Sequence, residues 1–410
     1  MWRETLEDLK DAHLVARIQE FFGVDISHEK SPRAFTSETD DQSRLIEKNG
    51  ITRENGKRIA HATDSIDAKE KLPDKRVPVN NYFWYYLFLF GTELGDEMFY
   101  CSFIPFWFWN VDGAVGRRII LVWSIVMTAG QALKDILCWP RPACPPAVRL
   151  QSKWSQEYGM PSTHAMVGVA IPFGIILFTL NRYVYSIPAG VVVAVLWCSL
   201  ICLSRLYLGM HTVLDIVAGL LLAIMMMIPL VPVVDFTDYY LVTNEAAFFI
   251  LFLMSVATII YYPTSEKWTP TRGDTAMVVS VTTGAHLGAL INFKTGAMQP
   301  PLLPPPYSIM WPTRTMLGCT ILRTILGFCC VFATKAISKF LGYTIICAIL
   351  RVNPKDLINS ENSLKNKNKV FVDLFCKYIS CFMIGLNTVY LLPNVFTIMG
   401  IGRPTFYTEM

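Results

Sequence analysis

Charge is what this sequence has least of. Only 17% of its 410 residues are Asp, Glu, Lys or Arg, against about 25% in an ordinary soluble domain. That shortage excludes a freely soluble globular fold, because several uncharged apolar runs reach the ~20 residues that cross a bilayer. Net charge is scarce as well, +4 with a pI near 8.4, and makes no case for binding nucleic acid. Asn-x-Ser/Thr sequons are absent, so no glycosylation site marks one side of the membrane. The eleven cysteines form no CxxC pair and no metal-ligand spacing. They lie mostly inside apolar runs and read as reduced packing residues. The N-terminus lacks the apolar core expected of a cleaved signal peptide.

Apolar residues dominate instead: 53% of the chain is hydrophobic and the mean hydropathy is +0.38. The expected class is an all-α polytopic membrane protein with eight to ten transmembrane helices. Spans are expected near 82–109, 117–138, 165–181, 184–203, 212–232, 246–262, 276–292, 315–334 and 371–392, with an ambiguous run at 338–350. Before them, apolar residues from Leu6 to Phe22 recur at roughly helical spacing, which predicts an amphipathic helix over 4–22, on the membrane or on the core. Residues 28–80 read as a flexible extension. Residues 294–314 read as a Pro-rich connector and 351–370 as a polar loop. Glu93, Asp96 and Glu97 fall inside the first span, where acids are costly. They either face a cavity and a substrate amine or mark a kink wetted by headgroups. His286, in an apolar run, reads as a satisfied interhelical histidine.

Three short segments carry polar groups that apolar helices do not need. SRLYLGMHTVLD (204–215) holds Arg205, His211 and Asp215. On a continuous helix, His211 and Asp215 share a face, so the carboxylate can accept the imidazole Nδ1–H and raise its basicity. Arg205 presents a planar fork suited to phosphate. KDILCWPRP places Lys134 and Arg141 around the end of a helix. Two cations on one rigid corner suit a dianion, although lysine and arginine at helix ends also snorkel to the interface. PSTH sets Ser162, Thr163 and His164 at a helix start, where free backbone N–H groups attract an anion and His164 can protonate a leaving oxygen. An N-cap followed by a surface histidine gives the same pattern. By parity of crossings, all three segments fall on one membrane face.

Read in order, K-x6-RP, PSTH and SR-x5-H-x3-D resemble the signature of the type 2 phosphatidic acid phosphatase (PAP2) superfamily, which includes vanadium haloperoxidases and glucose-6-phosphatase. The match covers about residues 134–215. The usual middle motif is PSGH, so Thr163 is a departure. With KDxxxWPRP and GTELGDE, the pattern over 80–230 is similar to animal sphingosine-1-phosphate phosphatases. The resemblance implies a PAP2/haloperoxidase-like helical core within 81–235, preceded by a polar extension over 1–80 and followed by C-terminal helices over 236–410.

It also implies metal-independent hydrolysis of a phosphomonoester without a cofactor. His211 would be the nucleophile, Asp215 its orienter and His164 the acid and base. Lys134, Arg141, Ser162, Thr163 and Arg205 would hold the phosphate. The implied substrates are sphingosine 1-phosphate and dihydrosphingosine 1-phosphate, in the endoplasmic reticulum membrane. The expected partners are membrane lipids, with a homodimer left open and nucleic acid not expected. Alternatives are a broader lipid phosphatase for phosphatidate, lysophosphatidate or polyprenyl diphosphate, or a non-catalytic scaffold of the same fold.

Overall fold

A computed structural model of the chain describes residues 2–26, 79–263, 265, 267–301, 304–309, 311–353, 357 and 366–409. The extension expected over 28–80, apart from its last two residues, and most of the polar loop at 351–370 lie outside them. The described residues are mainly helical. Two short helices, α1 (Trp2–Lys10) and α2 (Ala12–Phe21), precede α3 (Tyr82–Glu93) and α4 (Glu97–Asn110). There follow α5 (Gly113–Leu137), α6 (Thr163–Thr179), α7 (Ile187–Tyr207), α8 (Val213–Thr243), α9 (Glu245–Ile260), α10 (Thr271–Lys294) and α11 (Arg314–Leu350). Last is α12 (Lys367–Leu386), which passes through a π-turn at Asn387–Leu391 into α13 (Leu392–Ile398).

Six of these helices are long and apolar enough to cross a membrane: α5, α7, α8, α10, α11 and the α12–α13 run. Shorter apolar helices are α6 and α9. The single first span expected over 82–109 is instead two helices. Asp96 causes the break: it is extended and accepts a hydrogen bond from Met98 N–H, capping α4. GTELGDE is therefore a junction between two helices, at which Asp96 is buried. The ambiguous run at 338–350 continues the preceding span in one helix, α11. α8 runs on past the expected end near 232, carrying Pro229 and Pro232 within it.

α5 and α10 are the most enclosed of the long helices, whereas α7, α8 and α11 turn residues such as Leu196, Met225 and Phe332 outward. The apolar core is built around α5, where Trp123, Val122 and Val126 meet Tyr100, Met166 and Ile171. α10 and α12 approach at backbone distance: a Cβ on Gly284 would lie 2.0 Å from Phe382 O, and one on Gly385 2.1 Å from Val281 O. Small residues permit that contact where lipid gives helices no hydrophobic reason to associate. At the end away from the three motifs, Arg117 grips Asp238 through Nε at 3.0 Å and Nη2 at 3.2 Å. Tyr183–Val184 pairs in parallel with Tyr307–Ser308 in the Pro-rich connector. His286 is buried with Nδ1 2.8 Å from the Thr282 carbonyl and Nε2 3.9 Å from Asp238.

The expected amphipathic helix over 4–22 is two helices, because Asp11 caps α2 by accepting from His13 N–H. α2 packs on the protein core through Val15, Ala16 and Gln19. Gln19 is fully buried. Its Nε2 donates to Val148 O at 2.6 Å and Tyr207 O at 2.8 Å, and its Oε1 accepts from Val148 N at 2.9 Å. One side chain thus satisfies backbone groups of a loop and of the end of α7. Gln19→Ala leaves those groups buried and unpaired, and should cost about 2–4 kcal/mol. Thermal unfolding of the detergent-solubilised protein checks this; an unchanged midpoint would contradict it.

Candidate active site

The end of α7 is shaped by one glycine. Gly209 has φ +66, and a Cβ there would lie 2.3 Å from Val148 O. Its N–H donates to Leu206 O at 3.0 Å, and Met210 N–H donates to Arg205 O at 3.1 Å. This is the paired closure of a Schellman motif, which only a left-handed residue allows at low cost. It stops α7 just after Arg205 and turns the chain so that His211 follows directly.

α8 begins two residues later. Its N-cap is Thr212, whose hydroxyl accepts from Asp215 N–H at 3.2 Å. The Asp215 carboxylate returns the bond, Oδ2 accepting from Thr212 N–H at 2.8 Å. This capping box corrects the expected geometry: His211 precedes the helix and does not share a helical face with Asp215. Oδ2 stands 3.7 Å from His211 Nδ1, too long for a hydrogen bond. The carboxylate therefore faces Nδ1, with its bonds directed first to the backbone that carries the histidine.

Lys134 lies in the last turn of α5 and is buried, its Nζ 2.5 Å from Glu157 Oε2 and 3.1 Å from Thr163 Oγ1. α5 ends at Cys138 in the left-handed conformation. Arg141 follows with its fork spread over the loops. Nη1 donates to Met210 O at 2.6 Å, Nε donates to Glu157 O at 2.9 Å, and Nη1 stands 3.4 Å from His211 Nε2. Ser162 caps α6, accepting from Ala165 N–H, and its own N–H donates to Asp215 O at 3.0 Å. Arg205, fully buried, reaches Thr92 Oγ1 at 2.6 Å and Gln151 Oε1 at 3.2 Å. His164 is buried in the first turn of α6, with Trp154 edge-on at 6.1 Å between ring centres.

The three motif segments thus meet. Lys134 touches Thr163, Ser162 is bonded to Asp215, and Arg141 bridges to Met210 beside His211. Some polar atoms stay unspent: among the described residues, Arg141 Nη2, Arg205 Nε and the ring nitrogens His164 Nε2 and His211 Nδ1 have no hydrogen-bond partner. Burial, and after it the charges of Arg141, Arg205 and Lys134, hold His211 well below the usual imidazole range. A neutral imidazole flanked by buried cations can attack an electrophile that those cations have neutralised.

Glu157, Thr92, Gln151 and Thr212 join the site without having been singled out in the sequence. Thr212 and Asp215 do have capping-box spacing, which could have been recognised. Of the acids considered for an amine, Asp96 is buried against Lys153, Glu93 is exposed, and Glu97 sits partly covered near Asp274 and Lys377. A separate cavity of about 390 Å³, lined by residues including Tyr100, Trp123, Val331 and Lys377, contains none of the motif residues.

The family model of the PAP2 superfamily matches residues 117–238. Sphingosine-1-phosphate phosphatase 1 of Rattus norvegicus is 38% identical over 325 residues, covering 79% of this chain and 74% of that protein. Sphingosine-1-phosphate phosphatase 2 of Homo sapiens is 33% identical over 405 residues, 97% of this chain and 99% of that protein. Lipid phosphate phosphatase delta of Arabidopsis thaliana is 27% identical, covering 69% and 72%. No solved structure matches the chain.

The depressed basicity of His211 has a consequence for pH. Its acid limb should lie below pH 6.5, the ordinary imidazole value. Arg141→Gln removes the nearest cation and should move that limb upward, besides slowing turnover. Profiles of kcat/KM for both proteins on one substrate test this, since the substrate's own ionisation is common to both. A limb that stays in place would contradict it.

Proposed function

Because this chain belongs to the PAP2 superfamily, and within it to the family of the sphingosine-1-phosphate phosphatases, we propose that it hydrolyses sphingoid base phosphates, such as sphingosine 1-phosphate and dihydrosphingosine 1-phosphate, to the free base and inorganic phosphate. The observation that carries the reading is the double orientation of His211. Nδ1 is turned toward the Asp215 carboxylate at 3.7 Å, and Nε2 toward Arg141 at 3.4 Å. An imidazole so held offers Nε2 to a phosphorus bound by the arginine.

In the first step Nε2 of His211 forms a bond to phosphorus as the ester P–O bond breaks. His164 gives its proton to the leaving alkoxide, which departs as the alcohol of the lipid. In the second step His164 takes a proton from water, and the resulting hydroxide displaces His211 and releases phosphate. Lys134, Arg141 and Arg205, with Ser162, Thr163 and the first amides of α6, carry the charge on the non-bridging oxygens. Asp215 favours the tautomer with its proton on Nδ1.

The catalytic core in this reading is 81–235, with the polar extension 1–80 before it and the helices of 236–410 after it. Lys134 at the end of α5, Thr163 at the start of α6 and Arg205 at the end of α7 share a face if α6 crosses. Its 17 residues give about 26 Å of helix, close to the ~30 Å hydrocarbon core. With α9 crossing in the same way, the six longer helices become eight spans. We assign the protein to the endoplasmic reticulum membrane with the site toward the lumen, on the strength of the family. The reading is compatible with a homodimer.

The test is release of phosphate from sphingosine 1-phosphate and from phosphatidate in detergent with excess chelator. Release from the sphingoid phosphate should persist and exceed that from phosphatidate. His211→Ala should abolish turnover and the labelled, acid-labile phosphoenzyme trapped by quenching. Asp215→Asn should leave a weaker enzyme, slowed by roughly 10²–10⁴. Persisting turnover in His211→Ala, or strict dependence on a divalent ion, would overturn the mechanism.

A further inference from the structure

Among the described residues, one buried acid touches the cations of the mechanism without a step of its own in it. Glu157 lies in the loop between α5 and α6, and its side chain is only 4% exposed. Oε2 stands 2.5 Å from Lys134 Nζ and 4.0 Å from Arg141 Nη2, and its backbone carbonyl accepts from Arg141 Nε. Both cations belong to the proposed phosphate site. A carboxylate in that position repels an arriving dianion and competes for its two partners. It offsets the burial of Lys134 in the empty site, but it costs phosphate binding unless a cationic feature of the ligand offsets the repulsion.

We propose that Glu157 is a specificity-determining residue whose carboxylate receives the ammonium group of the sphingoid base. The inference rests on the reading above and names the residue that selects its substrate. In a sphingoid base phosphate, the carbon bearing the amine is bonded directly to the carbon bearing the phosphate ester. The ammonium therefore cannot move further than a contact or two from the phosphoryl group. An acid in contact with Lys134 and Arg141 stands at that range once both cations hold phosphate. Oε1 of Glu157 makes no hydrogen bond among the described residues, and a carboxylate has about four acceptor positions.

Of the other acids near the site, Glu93 is exposed and two are committed elsewhere. Asp96 caps α4 and pairs with Lys153, and Asp215 is held by Thr212. When the phosphate draws Lys134 and Arg141 toward itself, the ammonium supplies the charge that Glu157 loses. A lipid phosphate without an amine leaves the carboxylate facing a dianion with no partner, which is discrimination by an unpaired charge.

The experiment compares dihydrosphingosine 1-phosphate with octadecyl phosphate, which lacks the amine, on wild type, Glu157→Gln and Glu157→Asp. Wild type should prefer the amine-bearing substrate in kcat/KM. Glu157→Gln should lower that preference by roughly 10-fold or more, the amine-bearing substrate losing rate and octadecyl phosphate gaining it. Glu157→Asp, with its shorter reach, should fall between the two. Equal losses on both substrates would overturn the proposal, because a carboxylate that merely braces Lys134 and Arg141 predicts that outcome. So would an unchanged preference. If Glu157→Gln does not fold, the same ratio in Glu157→Asp decides: a reduced preference supports the proposal and an unaltered one overturns it. Wild type that hydrolyses octadecyl phosphate but no sphingoid phosphate would defeat the functional reading itself, whatever the variants do.

Discussion

Burying three cations in one place is the constraint on which the rest of the structure turns. Lys134, Arg141 and Arg205 are withdrawn from water within reach of two imidazoles. Each would be prohibitively costly there without partners. The fold supplies them from distant parts of the chain: Glu157 and Thr163 for Lys134, the carbonyls of Met210 and Glu157 for Arg141, Thr92 and Gln151 for Arg205. The same bonds that offset desolvation fix the direction of the charges. Donors already aimed need no rearrangement when charge develops on a phosphoryl group, and that absence of reorganisation is where electrostatic catalysis gains most.

His211 is positioned by backbone more than by its carboxylate neighbour. On one side the chain is clamped by the Gly209 turn, on the other by the reciprocal bonds of Thr212 and Asp215. Only Met210 and His211 lie between those fixtures, and the carbonyl of Met210 is held by Arg141. The histidine therefore sits on a very short bridge whose ends are both pinned. Asp215 serves two purposes with one carboxylate: it starts α8 and it faces Nδ1.

The order and spacing of Lys134, Arg141, Ser162, His164, Arg205 and His211 were legible in the sequence because they sit at helix ends, where polar residues stand out against apolar runs. The helical class was legible for the same reason. What escaped was what depends on partners far away in the chain. Glu157 is one acid in a polar loop until Lys134 is placed beside it, and Gln19 is an ordinary polar residue of a surface-looking helix until Val148 and Tyr207 close over it. Hydropathy sums over 82–109 without registering that Asp96 can cap a new helix, so the break in the first span is not legible from it. The His211–Asp215 spacing implied a shared helix face, and the competing claim of Thr212 on that carboxylate displaced the helix start by two residues.

The Gln19 clamp ties the earliest part of the chain to two of its later parts. Its partners, Val148 and Tyr207, are 129 and 188 residues further on. During synthesis α2 emerges long before either partner exists, and it has to wait outside the bilayer until α7 has been inserted. Only then can its amide be satisfied, so the loop that carries Arg141 and the turn that carries His211 cannot be clamped together before Tyr207 has been made.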